Sequence, residues 1–321
     1  MPDDPRPPLV VVAGPTAVGK TAAAVALARR FGGEIVNADS RLLYQGLDIG
    51  TAKPTTEERG GVPHHLIDVL DPAKDLSLAR YQDLALATIR AIHARDRLPF
   101  LVGGTPLYVN AVVEGWRIPR VPPDPALRAA LEADAAEHGL PTLTARLAAV
   151  DPAAATRSGT NLRRVIRALE VFAATGVPMS ALEGKGPAPF AALELALTMP
   201  RDALHRRIDA RTDESFRRGL IDEVRALLAA GLPPDAPSLG AIGYRQLLPH
   251  LRGDEPLTDA VARINADTRR YVRHQETWLR RNPRLLRLDV TEAGWLDRAA
   301  AAVAAFLAAR SIPGGTALPK G

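Results

Sequence analysis

The chain is predicted to be an α/β protein, a parallel sheet around a phosphate-binding loop, with a helical insertion and C-terminal helices. Three observations predict this. Residues 14–21 read Gly14-Pro15-Thr16-Ala17-Val18-Gly19-Lys20-Thr21, a complete GxxxxGK[ST] loop between the apolar run Leu9-Val10-Val11-Val12-Ala13 and a helical segment. Further apolar runs at 34–38 and 99–102 each end in a polar or glycine loop. A proline-rich break at 118–125 separates this alternating third from a stretch of helix-forming sequence.

The run at 9–13 is uninterrupted and rich in valine, as a strand covered on both faces requires. The loop behind it turns backbone N–H groups and a helix N-terminus toward phosphates. Lys20 can reach bridging and terminal oxygens, and the Thr21 hydroxyl is a candidate Mg²⁺ ligand. Helix is predicted at 20–30, strand at 34–38 ending at Asp39, and a long helix at 77–95. A third strand at 99–102 closes in Gly103-Gly104-Thr105, with helix again at 106–114. Three short strands that send polar loops the same way imply a parallel, P-loop NTPase-like sheet with the site at its carboxyl edge. Residues 1–117 are therefore the expected P-loop core.

Helical patterns at 126–138, 142–149 and 161–175 define an insertion domain over 118–190, closed by a loop at 183–189. Residues 193–198 can return to the sheet as a strand. The segment 191–310 reads as a mostly helical return to the core, with helices near 202–230, 243–252, 257–281 and 293–310. The tail 311–321, with Pro313-Gly314-Gly315, is expected to be disordered.

With 321 residues, 46% of them hydrophobic, the chain can bury a full core, and two lobes are expected. The absence of cysteine excludes disulfides, thiolate–zinc sites and cysteine nucleophiles, and suits a cytoplasmic protein. The acidic, Pro-rich start Met1-Pro2-Asp3-Asp4-Pro5-Arg6 does not read as a secretory leader. The longest apolar run, 299–309, is too short to cross a bilayer, so no membrane partner is expected. Net charge is +5, unevenly spread: residues 1–150 carry 16 Lys/Arg against 17 Asp/Glu, whereas eight Arg lie between 263 and 287 against only Asp267 and Glu276. Such a stripe is the footprint of a polyanion. A solvated surface in a chain with only five lysines reads equally well.

Asp39 ends its strand at the height where the phosphate loop begins. There a carboxylate is a Mg²⁺ partner, a general base, or the N-cap of the turn that follows. Thr105 closes the third strand in the same plane. That strand ends in glycines where many NTPases place a Mg²⁺-orienting acid, which weighs against ATP or GTP hydrolysis. Arg207 and Arg211 share one helix face, with Asp209 turned away, and are either a clamp for a diphosphate or a solvated face with local Asp/Glu partners. Arg269 and Arg273 share another face. Trp278, further along, is either a stacking platform for RNA or a core anchor. His64 and His65 have no partners at metal-binding spacing.

At Asn37-Ala38-Asp39-Ser40-Arg41-Leu42-Leu43-Tyr44 and Asp48-Ile49-Gly50-Thr51-Ala52-Lys53-Pro54 the sequence resembles the tRNA dimethylallyltransferase (tRNA isopentenyltransferase) family. The phosphate loop, Pro63-His64-His65, Val102-Gly103-Gly104-Thr105-Pro106-Leu107-Tyr108, Arg167-Ala168-Leu169-Glu170, Ala241-Ile242-Gly243-Tyr244-Arg245 and Gln275-Glu276-Thr277-Trp278 carry the resemblance on, to about residue 281. It implies transfer of a dimethylallyl group from dimethylallyl diphosphate to the exocyclic N6 amine of the adenosine 3′ to the anticodon. Gly14, Pro15, Thr16, Ala17, Val18, Gly19, Lys20, Thr21 and Arg207 would hold the donor diphosphate, with Mg²⁺ on Thr21. Asp39 would take the amine proton, Thr105 orient the base, and Arg211 stabilise the leaving group.

By the same resemblance Asp39, Ser40, Arg41, Leu42, Thr105, Arg128, Thr160, Asn161, Leu162, Arg163, Arg164, Gly240, Ala241, Ile242, Gly243, Tyr244, Arg245, Arg269, Arg273 and Gln275 would contact tRNA. The insertion would grip the anticodon stem-loop. A monomer is expected. The chain departs from the family at 158–164, where Ser-Gly-Thr-Asn-Leu-Arg-Arg replaces a longer His-Pro-Asn-Asp stretch. It departs again at Arg273-His274-Gln275, where the family has Lys-Arg-Gln. The competing readings are a small-molecule or nucleotide kinase, a prenyltransferase acting on free adenine nucleotides, and an RNA-binding protein switched by a nucleotide.

Overall fold

The computed structural model describes residues 4–310, so the tail expected at 311–321 lies outside the described residues. The chain divides into two compact units, one of them the continuous segment Glu114–Ala188.

The larger unit is built on β1 (Pro8–Ala13), which runs through the phosphate loop into α1 (Lys20–Arg30). β2 (Gly33–Asn37), the short α2 (Thr56–Arg59) and a two-residue β3 (His64–His65) follow. Then come α3 (Leu78–His93), β4 (Leu98–Gly103) and α4 (Pro106–Val113). Residues Leu9, Val10, Val11, Val12 and Ala13 are fully buried. Val10 and Val12 pack with α1, whereas Leu9, Val11 and Ala13 pack with α3 and α4. Alternate side chains thus enter the cores on opposite faces of the sheet, which is why the strand carries no polar alternation.

The smaller unit pairs β5 (Trp116–Arg117) with a later β6 (Gly184–Lys185) in an antiparallel ribbon. Between them lie α5 (Pro125–His138), α6 (Leu140–Val150), α7 (Pro152–Ser158), α8 (Leu162–Thr175) and α9 (Met179–Leu182). Leu131, Leu143, Leu147, Val165, Ile166 and Leu169 form its core. The sequence reading lacks α7, whose N-terminus is capped by Asp151 accepting from the Ala154 N–H at 2.9 Å.

The chain then returns as β7 (Ala191–Thr198), followed by α10 (Arg201–Arg217) and α11 (Leu220–Ala229). After these come α12 (Leu247–Arg252), α13 (Leu257–Arg281), β8 (Leu286–Asp289) and α14 (Trp295–Ala308). The sheet order is β3-β2-β4-β1-β7-β8, with every pair parallel. β1 lies between β4 and β7, so the loops after β1, β2 and β4 open on one edge.

Two predicted helices are broken by glycine. The helix expected at 202–230 is two, because Gly219 takes a left-handed φ of 93° and restarts the chain as the N-cap of α11. The helix expected from 243 begins only at Leu247. Gly243, at φ 101°, donates its N–H to Gln246 Oε1 at 2.9 Å and turns 241–246 into a loop. Among the described residues, no helix is long and apolar enough to cross a membrane.

Candidate active site

The three loops at the carboxyl edge meet in a cavity of about 500 Å³. Thr16, Ala17 and Arg211 line one side, and Asp39, Ser40 and Thr105 another. Gly240, Ile242, Asp267, Thr268, Tyr271 and His274 complete the wall.

The phosphate loop is shaped by close packing. A Cβ on Gly14 would stand 2.9 Å from the Leu197 carbonyl oxygen and from Val18 Cγ1, so only glycine lets β1 leave the sheet here. Gly19, left-handed at φ 105°, starts α1, whose N-terminus carries no side-chain cap and no acid in its first turn. Its free N–H groups and positive end are left for an anion. Lys20 Nζ donates to the Pro15 carbonyl at 2.8 Å. Burial lowers its pKa to about 8; Asp39 works against that shift and Arg211 adds to it. Arg207 Nη1 donates to the Val18 carbonyl at 3.3 Å. Arg211 donates from Nη1 to Thr16 Oγ1 at 3.1 Å and from Nη2 to the Thr51 carbonyl at 3.2 Å. Burial lowers its pKa, with Asp39 opposing. Both arginines from α10 thus reach the loop.

Asp39 is fixed from both sides. Its N–H donates to Asn37 Oδ1 at 2.8 Å, and its Oδ1 accepts from the Arg41 N–H at 2.9 Å. Thr105 accepts at Oγ1 from the Ser40 N–H at 3.1 Å, and its own N–H donates to the Ala38 carbonyl at 3.2 Å. The second strand end and the third are thereby laced together. The glycines make this possible: a Cβ on Gly103 would sit 2.2 Å from the Ala38 carbonyl carbon. No side chain fits at 103, which gives the missing acid a structural reason.

The segment after Arg41 is held by a network absent from the sequence reading. Glu223 accepts the Asp48 and Ile49 N–H groups at 2.9 and 2.8 Å, and the Tyr244 hydroxyl at 2.5 Å. Burial first, and then Glu223, raises the Tyr244 pKa, so its proton stays to be donated. Lys53 donates to Asp48 at 2.5 Å and is also paired with Asp68.

Several residues expected to touch tRNA hold partners within the protein, and some of them are buried. Tyr244 is fully buried on Glu223, and Ala241 and Gly243 are buried beside it. Gln275 is 2% exposed. Its Oε1 accepts from the Thr16 N–H at 2.9 Å and its Nε2 donates to the Gly104 carbonyl at 2.8 Å. The i, i+3, i+7 spacing Val272-Gln275-Leu279 is the signal that places it on the buried stripe of α13. Arg269 grips both oxygens of Asp209 at 2.6 and 2.7 Å, and Arg245 pairs with Asp267 at 2.8 Å. In the smaller unit Arg128 holds the buried Glu170 through two bonds of 2.8 and 2.9 Å.

Other expected contacts remain outward. Thr160, Arg163 and Arg164 are exposed and Leu162 is half-buried, while Asn161 caps α8 by accepting the Arg164 N–H at 3.2 Å. Arg41 and Leu42 are half-buried, and Gly240 and Arg273 are exposed. Trp278 is an anchor: it packs against the core beside α4 and donates to Asn110 Oδ1 at 3.3 Å. Tyr271, absent from the sequence reading, lines the cavity, donates to the Gly104 carbonyl at 3.3 Å, and has its pKa pushed up to about 12 by burial.

Residues 42–282 match the family model described as IPP transferase, and residues 7–68 match one described as isopentenyl transferase. The chain is 56% identical to a tRNA dimethylallyltransferase of Thermomicrobium roseum, over 91% of this chain and 89% of that one. It is 51% identical to a tRNA dimethylallyltransferase of a Roseiflexus species, over 92% and 97%. Its fold is similar to the full-length tRNA isopentenylpyrophosphate transferase of Bacillus halodurans, with TM-score 0.69, 42% identity and 94% and 95% of the two chains covered. It is also similar to a eukaryotic dimethylallyltransferase acting on tRNA, with TM-score 0.81, 26% identity and 96% and 81% covered.

Proposed function

The chain belongs to the IPP transferase family, and from that premise we propose that it is a tRNA dimethylallyltransferase. It transfers the dimethylallyl group of dimethylallyl diphosphate to the N6 amine of the adenosine 3′ to the anticodon. The observation that carries this reading is the shared cavity, where a phosphate loop with Arg211 and a carboxylate–hydroxyl pair, Asp39 and Thr105, face one chamber.

The adenine amine is a poor nucleophile because its lone pair is delocalised into the ring. As N6 bonds to the allylic carbon, the carbon–oxygen bond to diphosphate breaks and negative charge grows on the departing group. Lys20, Arg207, Arg211 and the uncapped start of α1 stabilise that charge. Asp39 takes the proton that the amine must lose, and Thr105 orients the base. The donor set suits Mg²⁺: the Thr21 hydroxyl and one carboxylate leave most positions to phosphate oxygens and water. Among the described residues, no cluster of three His, Asp or Glu makes a self-sufficient metal cage. When bound on Thr21, the ion supplies charge neutralisation for the diphosphate.

The target base is stacked in its loop, so it must be flipped to reach the chamber. Exposed Arg163, Arg164 and Arg273 supply phosphate-binding charge, and the unit Glu114–Ala188 takes the anticodon stem-loop. The protein acts in the cytoplasm as a monomer.

The test is incubation with dimethylallyl diphosphate, Mg²⁺ and unmodified tRNA, followed by mass spectrometry of the digested nucleosides. N6-prenylated adenosine is the expected product. Activity on free AMP with none on tRNA would overturn the reading in favour of a nucleotide prenyltransferase. ATP-dependent phosphorylation would favour a kinase.

A further inference from the structure

We propose that Gln275 is a positioning residue that sets the distance between the donor-diphosphate loop and the corner that receives the amine. The proposal rests on the prenyl-transfer reading. Its amide is spent at both ends inside the protein: it accepts from the Thr16 N–H and donates to the Gly104 carbonyl. Gly104 leads into Thr105, whose hydroxyl accepts from the N–H of Ser40, the residue after Asp39. One continuous series of contacts therefore runs from the phosphate loop to the general base, and Gln275 is the side chain that spans it.

The geometry is specific to an amide. Glutamate would turn a second acceptor toward the Gly104 carbonyl, repelling that oxygen and leaving it only the longer bond from Tyr271. Asparagine is one methylene short. Gly104 is adapted to the same contact, since a Cβ there would stand 2.3 Å from Gln275 Nε2. Gln275 is anchored among apolar neighbours on α13, near Val272 and Leu279, and α13 also carries the cavity-lining Tyr271 and His274. Misplacement of reacting groups by an ångström is enough to cost orders of magnitude in rate.

The experiment compares Gln275→Glu, Gln275→Met and Gly104→Ala with the wild-type protein. It measures kcat, KM for both substrates, tRNA affinity and thermal stability. Each variant is expected to lose about 10- to 100-fold in kcat, with tRNA Kd within about twofold of wild type. The pair Gln275→Met and Gly104→Ala should be far from additive. Gln275→Glu should regain activity relative to wild type as pH falls, because a protonated carboxyl again offers one donor and one acceptor. A residue needed only for folding gives no such pH-dependent rescue. Wild-type kcat with a raised tRNA Kd would overturn the proposal and make Gln275 an RNA contact. An additive pair with no rescue would also overturn it. A wild-type protein that forms no prenylated tRNA instead removes the functional reading beneath it.

Discussion

Arg211 and Thr16 are joined across 195 residues of sequence, the guanidinium donating to the loop hydroxyl at 3.1 Å while its other arm holds the Thr51 carbonyl. The fork therefore braces the phosphate loop against the segment that Glu223 organises. A guanidinium fixed by two acceptors needs no reorganisation when charge develops on the diphosphate. Arg211→Ala is expected to lower kcat/KM for dimethylallyl diphosphate by about 10²–10³-fold, with tRNA affinity held within twofold. Arg211→Lys keeps the charge and loses the fork, so it should fall between. Steady-state transfer with labelled donor checks both, and an unchanged kcat/KM in the alanine variant would remove Arg211 from the site.

Asp39 separates structure from chemistry within one side chain. Its Oδ1 caps the turn at Arg41, so Asp39→Asn retains an acceptor there and should fold normally. Asparagine cannot take the amine proton. Turnover is expected to fall by about 10²–10⁴-fold, with tRNA still bound. Filter binding and a prenylation time course decide it; wild-type turnover in that variant would refute the base assignment.

Much of this site is legible in the sequence, and what is not has a common cause. The phosphate loop, Asp39 and Thr105 stand out because local order alone puts each at a strand end. The edge strand Leu286–Asp289 is hidden by its brevity and by Arg287. Glu223, Tyr244, Tyr271 and Gln275 acquire their roles only when distant helices converge on the sheet edge. Nothing local distinguishes Tyr244 facing RNA from Tyr244 buried on a carboxylate. Arg128 shows the same limit, since its partner Glu170 lies 42 residues away.

That pair gives the smaller unit a pH dependence. Burial works to raise the Glu170 pKa, but hydrogen bonds from Arg128, the Asp124 N–H and Arg167 outweigh it and lower the pKa to about 2. A depressed carboxylate pKa stabilises the fold above its unfolded value of roughly 4.3, and that contribution is lost as pH falls toward 2. Glu170→Gln should cost about 3 kcal/mol at pH 7 by leaving two arginines without their anion. Denaturant melts of both proteins at pH 7 and 3 should show the gap shrinking at the lower pH. A constant gap would mean that the ion pair contributes no stability.

Lys20 predicts the alkaline side of the activity profile. It holds diphosphate only when protonated, and its pKa lies near 8. Since kcat/KM reports the free enzyme, that parameter for the donor should fall up to tenfold per unit above about pH 8. Bound diphosphate favours the charged form, so kcat should hold to higher pH. Lys20→Arg, with a far more basic group, should lose the alkaline limb even if its rate is lower. An unshifted limb in that variant would assign the titration to another group.

Arg269 and Arg273 lie one helical turn apart on α13, and their surroundings set different expectations for RNA. Arg269 is neutralised by Asp209 within the protein. Arg273 is exposed, and among the described residues no acid pairs with it. Counterions are released from RNA by charge that is not already compensated. Arg273→Ala should therefore lower the slope of log K against log salt by about 0.7–0.9 and weaken tRNA binding most at low salt. Arg269→Ala should change that slope little and act instead by loosening α10 from α13. Fluorescence titrations of tRNA at several salt concentrations distinguish the two; equal slope changes would show that Asp209 does not shield Arg269 from the RNA.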